Sequence, residues 1–349
     1  MCLYAGFALF LCAGLCYKGA MPAALLYIHA LDPVIFHLEG TGLPLALRWY
    51  GLAYVAGFAL GYWVLLLLSR RRLYCVPPEK LGDFITLVCL VGVICGGRLG
   101  EFFFYWLPEQ GLSGFLQDPL WVFRVWEGGM ASHGGIIAVL LTACWWARRH
   151  GYSAAQIVDG LAIVSPIGLF FGRVANFING ELWGKITDSW CSVKFPTELR
   201  SSPGDLLYRA HSAAEQAAGV QVSTYMQSGQ DYWDALMQLC REHPAALQAL
   251  AEYLPARYPS QLFEALGEGL LIFVILLTLR LTWRKAPAGI FSALFAFLYA
   301  AARIVCECFK EPDAGVWCGI TQGQWLSLLI VLIGLVFLII ARKNARKAA

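Results

Sequence analysis

The chain has 349 residues, of which 59% are hydrophobic and only 14% are charged, and its formal net charge is +3. Its mean hydropathy is +0.60. This composition excludes an ordinary soluble protein and is typical of a chain that crosses a membrane several times. The basic residues occur in small clusters between apolar runs, so no basic face is predicted and nucleic acid is excluded as a partner.

Seven apolar segments have about the 20 residues that a helix needs to cross a hydrocarbon core of about 30 Å. None of them alternates between apolar and polar residues as a membrane barrel strand does. The sequence therefore predicts an all-α polytopic membrane protein with seven transmembrane helices. The predicted spans cover residues 46–68, 84–107, 128–146, 157–178, 261–281, 287–306 and 324–341.

Clusters of lysine and arginine predict how the chain is oriented. They follow the first, third, fifth and seventh predicted spans, and cytoplasmic loops are the ones that keep positive charge. The amino end is therefore predicted outside and the carboxyl end in the cytoplasm. The clusters include Arg70, Arg71 and Arg72, then Arg148 and Arg149, then Arg280, Arg284 and Lys285, and finally Arg342, Lys343, Arg346 and Lys347.

The stretch between the fourth and fifth predicted spans differs from the rest of the chain. It contains several charges and two pieces with helical character, Leu206 to Ala218 and Tyr232 to Tyr253. We interpret it as a small extracytoplasmic inserted domain. The predicted division is an apolar extension and outer arm at 1–45, spans one to four at 46–184, the inserted domain at 185–256, spans five to seven at 257–341, and a cytoplasmic basic tail at 342–349.

Ionisable residues inside the predicted spans indicate a functional site, because each costs roughly 2.5 to 3.5 kcal/mol to insert. Arg98, Arg173 and Arg303 carry guanidinium groups, which match phosphate oxygens, and a phospholipid head group is the anion always present in a membrane. His133 could move a proton near neutral pH. Its neighbours in G-G-M-A-S-H-G-G, residues 128–135, are glycines that would let a substrate approach.

Two other interpretations use the same residues. Arg303 and Glu307 are four apart on one helix face and could neutralise each other, fixing only helix registry. Glu264 and Glu268, near the outer end of the fifth predicted span, are expected to be partly hydrated and structural. A carrier for an organic phosphate would also need the arginines, although the chain shows no internal duplication. No cysteine pair has zinc-ligand spacing with matching histidines, so no metal is expected.

Several short motifs occur in a fixed order from Asp32 to about Arg342. They are D-P-V-I-F at 32–36, R-W-Y-G-L at 48–52, G-G-R-L-G at 96–100, R-V-W-E-G-G-M-A-S-H-G-G at 124–135, G-R-V-A-N-F-I-N-G-E-L-W-G at 172–184, R-Y-P-S-Q-L-F-E at 257–264, Y-A-A-A-R-I-V-C-E at 299–307 and E-P-D at 311–313. In this order the chain resembles the prolipoprotein diacylglyceryl transferase family of bacteria.

The resemblance implies a specific reaction at the bacterial inner membrane. The family moves the diacylglyceryl group of phosphatidylglycerol to the thiol of the lipobox cysteine in a prolipoprotein signal peptide, and glycerol phosphate is released. The developing phosphate charge suits two arginines, and the thiol attacks as its thiolate. No metal or other cofactor is implied.

The resemblance also implies roles for particular residues. His133, Arg173 and Arg303 are the expected catalytic residues, with His133 the candidate base and Arg173 also binding the lipid phosphate. Substrate-binding or supporting roles are implied for Tyr50, Asn176, Glu181, Gly184, Tyr299 and Glu307.

Overall fold

The computed structural model describes residues 27–37, 46–124, 129–226, 231–312 and 319–348. Most of the predicted apolar extension, residues 1–26, lies outside the described residues. The described chain is mainly helical. Its helices are α1 (Trp49–Arg70), α2 (Pro78–Gly111), α3 (Ser132–His150), α4 (Ala154–Asn179), α5 (Gly204–Ala218), α6 (Tyr232–Glu242), α7 (Pro244–Ala251), α8 (Ser260–Thr282), α9 (Ile290–Glu307) and α10 (Gln322–Ala348).

Six helices in the described part of the chain are long and apolar enough to cross a membrane: α1, α2, α4, α8, α9 and α10. They confirm a multi-pass helical protein. The remaining predicted span corresponds to α3, which forms a helix of 19 residues but is not among the six. Its first turn contains Ser132 and His133 and its last turn Arg148, Arg149 and His150, which shortens its apolar stretch.

The all-α prediction missed four short strands. Strand β1 (Tyr27–Ile28) pairs in parallel with β4 (Val193–Lys194), and β2 (Val34–His37) pairs antiparallel with β3 (Ala46–Arg48). Each strand has two to four residues. Such lengths are too short to show the period-two alternation by which a strand is recognised in a sequence.

The chain divides into two compact units, and several long helices pass from one to the other. Unit one comprises Met1–Ala56, Gly168–Leu271 and Tyr299–Leu328, and unit two comprises Gly57–Ile167, Ile272–Leu298 and Leu329–Ala349. Of the predicted site residues, Arg98 and His133 belong to unit two and all the others belong to unit one.

Within unit one, the stretch predicted as an inserted domain has its own apolar core. Helices α5, α6 and α7 supply most of this core, together with residues of the short helical turns Pro196–Ser201 and Val222–Tyr225. We call residues 185–256 the inserted segment. Its fully buried core side chains include Leu199, Val222, Leu236, Leu239 and Leu250.

Within unit two, glycines bring α2 and α3 into backbone contact. A Cβ atom on Gly100 would lie 2.5 Å from the Cα atom of Gly134, and one on Gly96 would lie 3.0 Å from the Gly134 carbonyl oxygen. No side chain fits in such a gap. Gly134 therefore serves the packing of α3 on α2, and the predicted approach of a substrate along the glycines of residues 128–135 stays a prediction.

Candidate active site

Two arginines and three glutamates of unit one form a continuous ionic cluster. Arg173 Nη1 lies 3.2 Å from Glu264 Oε2, and Arg173 Nη2 lies 3.5 Å from Glu268 Oε2. Arg303 Nη1 lies 2.5 Å from Glu264 Oε1 and 3.2 Å from Glu268 Oε1. Arg303 Nη2 lies 2.6 Å from Glu307 Oε1. The two carboxylates of α8 therefore bridge the two guanidinium groups.

The cluster is almost completely enclosed by protein. The side chains of Glu264 and Glu268 are 0% exposed, whereas those of Arg173 and Arg303 are 17% and 12% exposed. The expectation that the two glutamates are partly hydrated is therefore wrong. Burial makes each carboxylate depend on its arginine partners, because an unpaired buried charge costs several kcal/mol.

Close packing of α4 against α8 brings the cluster together. A Cβ atom on Gly269 would lie 2.6 Å from Phe170 Cβ, so the two helix backbones touch there. Phe170 lies one turn before Arg173, and Gly269 directly follows Glu268. The residues Ala265–Leu271 of α8 form a π-helical stretch, a distortion that occurs frequently at functional sites.

Residues of α9, of the start of α10 and Thr321 just before it complete the cluster around Glu307. Thr321 Oγ1 donates a hydrogen bond of 3.0 Å to Glu307 Oε2, and a Cβ atom on Gly323 would overlap the Glu307 carboxylate. Tyr299 lies one turn before Arg303 on α9. The predicted residues Arg173, Arg303 and Glu307 are thus brought together, and Tyr299 is one turn away from Arg303.

The motif G-R-V-A-N-F-I-N-G-E-L-W-G at 172–184, which we call the signature motif, includes the carboxyl end of α4 and the turn after it. Gly180 has φ +64°, its N–H bonds the Phe177 carbonyl at 2.9 Å, and the Glu181 N–H bonds the Asn176 carbonyl at 3.1 Å. This pair of bonds is the Schellman ending of a helix. It turns Glu181 back toward the helix, where its Oε1 accepts hydrogen bonds from Asn176 Nδ2 at 2.7 Å and Asn179 Nδ2 at 3.3 Å. The predicted residues Asn176 and Glu181 are directly bonded.

The turn after α4 is fixed by hydrogen bonds from two residues that were not predicted as site residues. Gln261 Nε2 donates to the Glu181 carbonyl at 2.6 Å, and Ser260 Oγ donates to the Leu182 carbonyl at 3.1 Å. Ser260 and Gln261 are completely buried. Leu182 has φ +56°, a left-handed conformation that is unfavourable for leucine. In the sequence, the P-S-Q motif at 259–261 contains both residues and could have pointed to them.

Gly184 occupies a position where only glycine fits. Its N–H bonds the Tyr258 carbonyl at 3.0 Å, and a Cβ atom would lie 2.5 Å from that oxygen and 2.6 Å from the Phe309 carbonyl oxygen. Both distances are well below van der Waals contact. Gly184 therefore lets three chain segments approach, and its predicted substrate contact stays a prediction.

His133, Tyr50 and Arg98 differ from the cluster residues. The side chain of His133, at the second residue of α3, is exposed, and Tyr50 in unit one packs its ring 5.3 Å from that of Tyr54. Arg98, in unit two, donates to the backbone carbonyls of Trp121, Val122, Arg124 and Gly129. Arg98 thus binds backbone within unit two, and its part in the expected three-arginine anion site stays a prediction, as do the roles of His133 and Tyr50.

The fold and this cluster define a multi-pass membrane protein with a built ionic site in its helical segments. Comparison with known proteins specifies the class. The family model described as prolipoprotein diacylglyceryl transferase matches residues 33–340. The chain belongs to the prolipoprotein diacylglyceryl transferase family.

Curated relatives agree with this membership. A protein of Bdellovibrio bacteriovorus named phosphatidylglycerol–prolipoprotein diacylglyceryl transferase is 37% identical over 347 residues, covering 91% of this chain and 95% of the relative. Proteins of the same name are 40% identical in Xylella fastidiosa, covering 89% and 93%, and 36% identical in Proteus mirabilis, covering 90% and 93%.

Proposed function

We propose that the chain transfers the diacylglyceryl group of phosphatidylglycerol to the lipobox cysteine of a prolipoprotein, with its ionic cluster as the phosphate site. The bond between the diacylglyceryl carbon and the phosphate oxygen breaks, a carbon–sulfur bond forms, and glycerol phosphate leaves. The thiol proton passes to a base. The reaction needs no oxidant, nucleotide or metal to balance.

The observation that carries the proposal is the bridging of Arg173 and Arg303 by Glu264 and Glu268. A guanidinium group has five N–H donors, and the terminal nitrogens carry two protons each. Contacts with the glutamates therefore leave donors for phosphate oxygens. Because the carboxylates fix both guanidinium groups in advance, little reorganisation is needed as negative charge develops on the leaving phosphate.

The thiol needs a base, and His133 is the proposed one. A free thiol has a pKa of about 8.5 and attacks as the thiolate, so a neutral imidazole can accept its proton near pH 7. The side chain of His133, at the start of α3, is exposed. Tyr50, Asn176, Glu181, Gly184 and Tyr299 are proposed as substrate contacts or supports.

The proposed topology has seven spans, with α3 as the third, in the bacterial inner membrane. The distribution of Lys and Arg supports an outside amino end and a cytoplasmic carboxyl end. The inserted segment then lies outside the cytoplasm, on the side where a secreted precursor is found. Cysteine accessibility at Cys191, in the inserted segment, would test this orientation in intact cells, because a reagent that cannot cross the membrane should label it.

The transfer itself is tested with purified protein, phosphatidylglycerol labelled in its acyl chains, and a lipobox peptide. Label should enter the peptide, and a peptide with Cys→Ala should take up none. His133→Ala should abolish labelling while the protein remains folded, and Arg173→Ala should abolish it when the rate is expressed per folded molecule, because this variant also removes a partner of the buried Glu264 and Glu268. The matched control is Arg200→Ala, which removes an exposed arginine that pairs with Asp231 in the inserted segment. Absence of label with the folded wild-type protein would refute the proposal and favour a phosphate carrier.

A further inference from the structure

Arg257 lies in the middle of a small network of extended segments in unit one. Its N–H and carbonyl bond Val193 at 2.9 Å and 2.8 Å, and the neighbouring Tyr258 exchanges hydrogen bonds of 3.0 Å with the segment Gly184–Lys185. The Lys185 N–H in turn bonds the Phe309 carbonyl at 2.8 Å. The end of the signature motif therefore lies between the segment of Arg257 and the segment after α9.

The buried side chain of Arg257 binds three parts of the chain: the helical turn that contains Glu198, the segment of Gly184 and the segment after α9. It binds Glu198 with two parallel hydrogen bonds, Nε to Oε2 and Nη2 to Oε1, each 2.7 Å long. Its Nη1 donates to the Gly184 carbonyl at 2.9 Å and to Glu311 Oε2 at 3.1 Å. Arg257 is 8% exposed and the Glu198 side chain 16% exposed, so this pair is largely shielded from water, whereas the Glu311 side chain is 50% exposed. The geometry needs a planar fork, which lysine lacks.

Arg257 binds the same turn after α4, residues 181–184, to which Ser260 and Gln261 donate hydrogen bonds. In the R-Y-P-S-Q motif, Arg257 binds the carbonyl of residue 184, Ser260 that of residue 182, and Gln261 that of residue 181. Three side chains of one short motif thus bind three backbone carbonyls of another. The left-handed Leu182 lies within the held stretch, and an unfavourable backbone conformation persists only where surrounding contacts enforce it.

We propose that Arg257, Ser260 and Gln261 are positioning residues for the transfer reaction. We call these three side chains and their hydrogen bonds to residues 181–184 the clamp. By fixing this turn, the clamp fixes the position at which Glu181 accepts hydrogen bonds from Asn176 and Asn179. Glu198, which binds Arg257, makes the inserted segment contribute to this positioning. The proposal rests on the proposed function, because it assigns these residues to the efficiency of that reaction.

The test compares Arg257→Lys and Glu198→Gln with the control Arg200→Ala. Transfer rates are measured at varied phosphatidylglycerol and varied lipobox peptide, and kcat is expressed per folded molecule after thermal unfolding in detergent. Arg257→Lys should lower kcat by about a hundredfold, because small misplacements of a reacting group cost that much, with KM for the lipid nearly unchanged. Glu198→Gln should lower kcat by about tenfold, since Gly184 and Glu311 are still bound.

The outcomes separate this inference from the proposed function. If wild-type protein transfers no label, the proposed function fails. If wild-type protein is active and Arg257→Lys and Glu198→Gln keep its kcat per folded molecule, the clamp is only structural and the inference is overturned. The inference is also overturned if the exposed control Arg200→Ala lowers kcat as much as Glu198→Gln does.

Discussion

The Nη1 atom of Arg303 lies 2.5 Å from Oε1 of Glu264, a carboxylate that is completely buried. The other oxygen of the same carboxylate lies 3.2 Å from Arg173. One glutamate thus orients both arginines that are proposed to bind phosphate. The ion pairs that fix the registry of the helices also orient the guanidinium groups for an anion. Helix registry and anion binding are therefore compatible explanations for this cluster.

Glu264→Ala should strongly destabilise the protein and abolish transfer. Removing one partner of a buried ion pair costs about 3 to 5 kcal/mol, because the remaining charge is left uncompensated. Thermal unfolding in detergent measures the loss of stability, and peptide labelling measures activity. The control is Glu252→Ala, which removes an exposed glutamate of the inserted segment and should change neither. Normal stability of Glu264→Ala would contradict the ionic role assigned to this residue.

Arg303→Lys should retain the charge and lose most of the activity. The two terminal nitrogens of Arg303 serve three carboxylates, and a single ammonium group cannot reach all of them in this geometry. Loss of one preorganised donor at a developing charge lowers kcat by about a hundredfold or more. Steady-state labelling at saturating lipid measures this effect. A kcat within twofold of wild type would mean that only the charge of Arg303 matters.

Part of this site could be predicted from the sequence alone. Arg173 and Arg303 stand out because an apolar segment tolerates arginine only at a cost, and Glu307 follows Arg303 by four residues on the same helix. The partners of Arg173 could not be predicted, because α4 and α8 are far apart in the sequence and their contact depends on the packing of Gly269 against Phe170. Local spacing reports one helix face and carries no information on which distant helix covers it.

The fold shows the same limit. Long apolar runs predicted the six candidate spans, because length and composition suffice to recognise them. The pairing of Tyr27–Ile28 with Val193–Lys194 was not predicted, since two residues carry no periodic pattern. The clamp of Arg257 on Gly184 was also missed, although both motifs were noticed, because side chain to backbone bonds leave no trace in residue spacing.

Gly184→Ala should prevent normal folding or activity, whereas Gly172→Ala in the same motif should be tolerated. A Cβ atom at residue 184 would lie within 2.6 Å of two carbonyl oxygens, and at residue 172 it would meet no atom within 4 Å. In a helix interior, replacing glycine by alanine stabilises by about 0.5 to 1 kcal/mol. Thermal unfolding and labelling of both variants check this contrast. Equal behaviour of the two would contradict the steric explanation.

The stability of the protein should fall as the pH is lowered from 6.5 toward 4, because of His29. Burial lowers the pKa of His29 to about 4, although a backbone hydrogen bond with Phe177 opposes the shift. The ring packs between Phe177 and Phe195, with ring centroids 5.3 Å and 5.4 Å away. In the unfolded chain the histidine takes up a proton below its ordinary pKa of 6.5, whereas the folded chain resists protonation until about pH 4.

The unfolded state therefore binds more protons in this window, so the stability contributed at pH 7 is lost as the pH falls through it. The loss should approach roughly 3 kcal/mol near pH 4. Thermal unfolding of wild type and His29→Gln from pH 7.5 to pH 4 measures it, and comparison with the variant removes the effect of other titrating groups. Wild type should lose more stability than His29→Gln, and parallel pH profiles would show that the burial of His29 does not govern this response.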